Sequence, residues 1–127
     1  MCPQKNRGGT LKETTLWTNP SPSSNFTAQA VTLSDTIRKF DFIRIYCKAS
    51  TTDNSSSSLI VSIDDFLATV SYSFKASIDY ANISGRYDRA FNYINDTSLQ
   101  IDQTYQVGAG GTFNNLLIPT QITGCKM

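Results

Sequence analysis

Tyr87, Arg89, Phe91 and Tyr93 recur at every second residue, so an extended backbone sets all four on one face. Flat rings beside a guanidinium are groups that stack on sugars or anchor protein interfaces, and this quartet is the candidate glycan or receptor surface. The same spacing also describes a core strand, with Phe91 and Tyr93 inward and Arg89 at a margin. Residue types alone leave both readings open. Phe42, Arg44 and Tyr46 repeat the pattern on a second segment, followed by Lys48. Large apolar groups on a face expected to be wet predict a cover, either another sheet or another subunit. Together with Trp17 they form the candidate oligomer or partner interface.

Catalytic chemistry is harder to assemble. The chain has no histidine, which removes the usual general base, the usual nucleophile activator and the commonest metal ligand together. Asp64 and Asp65 are adjacent carboxylates, whereas glycoside hydrolysis needs two acids facing across a cleft. A turn accounts for them better than Ca²⁺, which wants six or more oxygens. Gly108-Ala109-Gly110-Gly111 lacks the lysine and helix that follow a phosphate-binding loop and reads as a bend between strands. No catalytic residue, cofactor or metal ligand is expected, and the chain is read as a non-enzyme.

The three cysteines, Cys2, Cys47 and Cys125, fit neither an even disulfide framework nor paired zinc ligands. Cys47 falls on the apolar side of its segment and is expected to be a buried thiol. A bridge between Cys2 and Cys125, at the two chain ends, stays open as an alternative. A net charge of +1 supplies no field to draw the chain to nucleic acid or an anionic membrane. No run is long and apolar enough for a membrane span, and the polar N-terminus lacks a signal peptide's apolar stretch. Sequons begin at Asn25, Asn54, Asn82 and Asn95, as chance supplies in a chain rich in Asn, Ser and Thr.

The elements that must carry these residues are strands. Ile43, Ile45 and Cys47 alternate with Phe42, Arg44, Tyr46 and Lys48, which predicts a strand over 40–48 with one dry face. Strands are also expected at about 10–18, 26–33, 59–63, 70–75, 86–94, 99–107 and 116–125. Turns separate them at 19–25, at 64–67 and at Asn95-Asp96-Thr97-Ser98. Residues 49–58, nearly all Ser, Thr, Asp and Asn, read as an exposed mobile loop. No segment shows helical periodicity. Residues 1–9 offer nothing to bury and are expected to form a flexible or partner-bound arm ahead of one domain over 10–127. About eight short strands broken by Gly, Pro, Asn and Ser predict an all-β, antiparallel β-sandwich of jelly-roll-like form.

Three stretches carry a resemblance. Gly8-Gly9-Thr10 leads into Thr15-Leu16-Trp17-Thr18-Asn19-Pro20. Val31-Thr32-Leu33 precedes Phe40-Asp41-Phe42-Ile43-Arg44-Ile45. Leu117-Ile118-Pro119-Thr120-Gln121-Ile122-Thr123-Gly124-Cys125-Lys126 closes the chain. In these pieces the sequence resembles small β-sandwich virion proteins of tailed bacteriophages. The resemblance implies a head or tail fibre terminal domain or a capsid decoration protein, located in the virion after synthesis in the host cytoplasm. It also implies a homo-oligomer, commonly a trimer, that contacts other virion proteins, with a host surface glycan as a further expected partner. A carbohydrate-binding module using the Tyr87, Arg89, Phe91 and Tyr93 face is the alternative.

Overall fold

Ile43, Ile45 and Cys47 are buried and Phe42, Arg44 and Tyr46 half-exposed, the two-sided strand that the period of two demands. The computed structural model describes residues 12–80 and 83–127; the expected arm over 1–9 lies outside them. Among the described residues nine strands are present: β1 (Lys12–Thr18), β2 (Gln29–Thr32), β3 (Phe42–Ser50), β4 (Ser56–Ser62), β5 (Ser71–Tyr80), β6 (Ile83–Asn95), β7 (Ser98–Gln106), β8 (Thr112–Phe113) and β9 (Leu116–Lys126). Two antiparallel sheets form, one ordered β1-β9-β3-β4 and the other β2-β7-β6-β5, with β8 beside β7. Side chains from both enter one core: Leu16, Ile43, Ile45, Val61 and Ile122 from the first, and Val31, Phe74, Tyr87, Phe91, Leu99 and Ile101 from the second. The chain is an all-β sandwich. Its jelly-roll-like wrapping lies at the ends, where β1, β2 and β3 alternate between sheets; β3–β4 and β5–β6–β7 run through neighbouring strands.

Two expectations are corrected here. Residues 64–67 are not a turn between strands but lie in a helix, α1 (Ile63–Thr69). The Ser62 side chain accepts the Asp65 amide hydrogen, Asp64 and Asp65 occupy the positive first turn, and Val70 ends the helix in the left-handed region at φ 57°. Helix formation turns Ile63 and Phe66 into the core. The polar run over 49–58 is also shorter as a loop than expected: Ser56, Ser57 and Ser58 pair with Lys48, Cys47 and Tyr46. Backbone pairing does not depend on an apolar side chain, and β3 supplies the template.

Of the stretches that carry the resemblance, Gly8-Gly9-Thr10 lies outside the described residues and Val31-Thr32 on β2 of the second sheet, while Thr15–Pro20, Phe40–Ile45 and Leu117–Lys126 meet in space. Asn19 donates through Nδ2 to the Pro119 carbonyl at 2.8 Å, and its backbone amide to the Thr120 carbonyl at 2.9 Å. The Asp41 amide donates to the Cys125 carbonyl, and the Asp41 carboxylate accepts the Met127 amide, each at 2.9 Å. Gly124 lies against the Phe40 ring; a Cβ there would meet ring atoms at 2.5–2.7 Å. Close approach of this aromatic ring is what requires glycine at 124. These last three pieces are thus the joints of the β1-β9-β3 unit. Cys125 is disulfide-bonded and Cys47 is the free, buried thiol; Cys2 lies outside the described residues.

Gly124→Ala is expected to destabilise the fold by roughly 1–3 kcal/mol, the cost of forcing a methyl group into a packed site. Urea unfolding checks this. Adding Phe40→Leu to the same chain should recover part of the loss, giving a non-additive double-mutant cycle; simple additivity would show that the ring is not the obstacle.

Candidate functional site

The β6 quartet is built inward. Tyr87 is 2% exposed and Arg89 and Phe91 are 0% exposed, so three of the four belong to the core, and they do not form a glycan-facing platform. Of the two readings left open by the alternation, the core strand is the one formed, except that Arg89 is fully buried and not at a margin and Tyr93 is only partly covered; Asp88, Ala90 and Asn92 take the outer face. Tyr93 alone reaches the margin, packed edge-on against Phe66 at 6.0 Å between centroids. Its hydroxyl donates to Asp96 at 2.5 Å, and Arg38 Nε donates to the other carboxylate oxygen at 2.9 Å. The Tyr93 bond, with Arg38 adding to it, holds the Asp96 carboxyl below its ordinary value of 3.8.

Arg89 occupies the position where the sheets and loops converge. Its Nη1 donates to the Phe26 carbonyl at 3.1 Å and to the Asp102 carbonyl at 2.8 Å, and its Nη2 to the Leu116 carbonyl at 3.0 Å. The guanidinium also sits 5.5 Å from the centre of the Phe26 ring. Burial pushes its pKa down to about 10, opposed by the negative charge of Asp102, and it remains a cation at pH 7. Burial also pushes the Cys47 thiol well above its usual range, which leaves it protonated and inert.

On the outside of the first sheet, Phe42, Arg44 and Tyr46 do come together. Arg44 lies 4.6 Å from the Tyr46 ring centre and donates through Nε to the Ser58 hydroxyl at 2.8 Å. The Tyr46 hydroxyl and the Thr123 hydroxyl both donate to one Glu13 carboxylate oxygen at 2.6 Å. Partial burial, then the Glu13 bond, raises the Tyr46 pKa. Ile60, opposite Arg44 on β4, is 38% exposed and extends this face. Lys48, expected beside them, is instead buried and donates to Asn54 at 3.0 Å.

Trp17 does not join that group. It lies on β1, separated from β3 by β9, and packs edge-on against Phe26 at 5.9 Å. There it lines an open groove of about 440 Å³ with Pro20, Asn25, Gln29 and Thr32, where the loop after β1 meets β2. Sequence reasoning marked Trp17 but missed this groove; the signal was the proline- and asparagine-rich break over 19–25 next to the only tryptophan. Among the described residues no group of three or more His, Cys, Asp or Glu could hold a metal ion. The chain matches no protein-family model and no curated protein.

Replacing Arg89 leaves buried carbonyls without donors. Arg89→Met is expected to cost about 3 kcal/mol or more, since each buried unsatisfied group costs roughly 1–3 kcal/mol. Arg89→Lys should recover only part, because a single ammonium cannot reproduce the planar fork. Urea midpoints at unchanged slope measure both; a stable Arg89→Met protein would remove Arg89 from this role.

Acid should act on Asp96. Its folded pKa lies below the unfolded one, so the ionised form stabilises the fold above the ordinary value of 3.8, and that contribution is lost as pH falls through the depressed folded value. Asp96→Asn is expected to flatten part of the fall in urea midpoint below about pH 4. An unchanged acid limb would contradict this.

Proposed function

We propose that this chain is a non-enzymatic structural protein of a bacteriophage virion, a head or tail fibre or decoration subunit. In this reading it is made in the host cytoplasm, assembles as a trimer and contacts other virion proteins, with residues 1–9 as the attachment arm. The observation that carries the reading is the half-open aromatic face of Phe42, Arg44 and Tyr46 with Ile60 beside it. Rings on the outer side of a sheet lose solvent contact when a second copy covers them, and burying each contributes on the order of 1–2 kcal/mol. The resemblance supports the virion assignment, because its pieces Thr15–Thr18, Phe42–Ile45 and Leu117–Lys126 lie on neighbouring strands, with β9 between β1 and β3. A disulfide at Cys125 suits the surface of an extracellular particle, where such bonds persist.

The carbohydrate-module alternative loses its first location, since Tyr87, Arg89 and Phe91 are core residues.

Light scattering on a sizing column tests the proposal. The expected mass is three times the 14.0 kDa chain. Ile60→Lys, on an exposed edge-strand position, should return a folded monomer with an unchanged far-ultraviolet circular dichroism spectrum and a lower unfolding midpoint, since association stabilises the fold. A monomeric wild-type chain that also fails to bind purified particles would overturn both the association and the virion role.

A further inference from the structure

The groove beside Trp17 differs from the rest of the surface in its chemistry. Its lining contains an indole, a proline ring, the amides of Asn25 and Gln29 and the hydroxyl of Thr32, and, among the described residues, no charged side chain. We propose that this groove binds a neutral saccharide of two or three rings. The proposal goes beyond the virion reading and rests on the groove alone.

Four observations select this ligand. The volume of about 440 Å³ is in the range of small-ligand sites, roughly 300–1,000 Å³, and is open enough to admit a chain end. The half-exposed indole is the flat apolar surface on which the C–H face of a pyranose stacks. The exposed Asn25 amide supplies donor and acceptor together, and Gln29, whose Nε2 donates to the Thr27 carbonyl at 3.0 Å, presents its Oε1 as an acceptor in a fixed orientation, matching a hydroxyl that does both. Among the described residues no Lys, Arg, Asp or Glu lines the groove, so these give a phosphate, a sulfated or sialylated glycan or an ammonium group nothing to pair with.

The floor is fixed before any ligand arrives. Phe26 is buried, holds Trp17 edge-on, and is itself held by the Arg89 guanidinium and by its amide bond to the Asn114 carbonyl at 2.8 Å. Asn19 cannot collapse into the groove, since its amide group is committed to Pro119 and Ser21. A site set in this way loses little freedom on binding.

Trp17 is the only tryptophan in the chain, so intrinsic fluorescence reports on the groove directly. The full-length protein would be titrated with maltotriose, cellotriose and tri-N-acetylchitotriose, each to about 10 mM, ten times a millimolar Kd. A saturating change in tryptophan emission with at least one of them is expected, and sialyllactose should not surpass it. Gln29→Ala and Asn25→Ala should each weaken binding roughly three- to tenfold, the loss of a neutral hydrogen bond, with unchanged unfolding midpoints. No response to any of the three sugars overturns the proposal. So does undiminished affinity in both variants, or saturation only by a blocked alternating threonine-valine tetrapeptide, which would assign the groove to strand addition along β2 instead. None of these outcomes depends on the oligomeric mass, so this proposal and the virion role fail separately.

Discussion

A cation held by backbone carbonyls, with no ion pair among the described residues, organises the centre of this sandwich. Taking a guanidinium out of water costs several kcal/mol, and Arg89 recovers that by donating to carbonyls of three separate segments, Phe26, Asp102 and Leu116. These belong to the loop after β1, to β7 and to the first residue of β9. A planar fork with fixed donors can be satisfied only when all three stand in one arrangement. Leu116 accepts from the Thr104 hydroxyl at 2.6 Å as well, and the next residue, Leu117, sits at a φ of 50°. Such a conformation costs a β-carbon residue about 1–2 kcal/mol. It persists where the carbonyl before it is doubly held and the side chain after it is core. Arg89 therefore acts mainly to specify one register of loops over sheets.

From that centre the constraint passes outward through side chains that touch. Arg89 fixes Phe26, Phe26 fixes Trp17, and Trp17 forms the wall of a surface groove. On the opposite side of β9, Gly124 admits Phe40, and Asp41 ties the start of β3 to the end of β9. The last strand is thus the common partner of the first and third, flanked by β1 and β3. Segments far apart in sequence are joined early in the sheet order and late in the chain, a topology rich in long-range pairing that folds slowly relative to helical bundles.

The strands were legible because they alternate. In β3 and in the β6–β7 hairpin the period of two and the Asn95-Asp96-Thr97-Ser98 turn leave little ambiguity. What alternation cannot say is which side faces in, and β6 shows why. An arginine within the Tyr87, Phe91 and Tyr93 series kept open a reading of that face as surface, whereas Nη1 and Nη2 of Arg89 are taken by carbonyls brought in by the fold, and its Nε is buried without a partner. The better signal lay opposite, where Asp88, Ala90 and Asn92 offer no large apolar group. The α1 segment escaped because seven residues make only two turns, too few for a periodicity. Its start was nonetheless written in Ser62 and Asp65, three residues apart with acids in the first turn. The serines of β4 were unreadable for another reason: an edge strand can be specified by its neighbour's backbone instead of its own side chains.

The two surfaces that remain for partners differ in how they are held, and that difference sets what each can recognise. Phe42, Arg44, Tyr46 and Ile60 lie on a broad sheet face where Arg44 and Tyr46 support one another and Glu13 gathers two hydroxyls. Such a face matches another broad surface, and the geometry of the strands defines it. The groove at Trp17 is narrow, uncharged and braced from beneath by the core, which suits a small rigid ligand read by hydroxyl groups and ring faces. A chain with almost no net charge and no histidine has little means of selecting partners by field or by pH near neutrality. Recognition must then come from shape and from neutral hydrogen bonds, and both depend on groups being held in place. The buried arginine, directly beneath Phe26 in the floor of the groove, is the device that holds the narrower one.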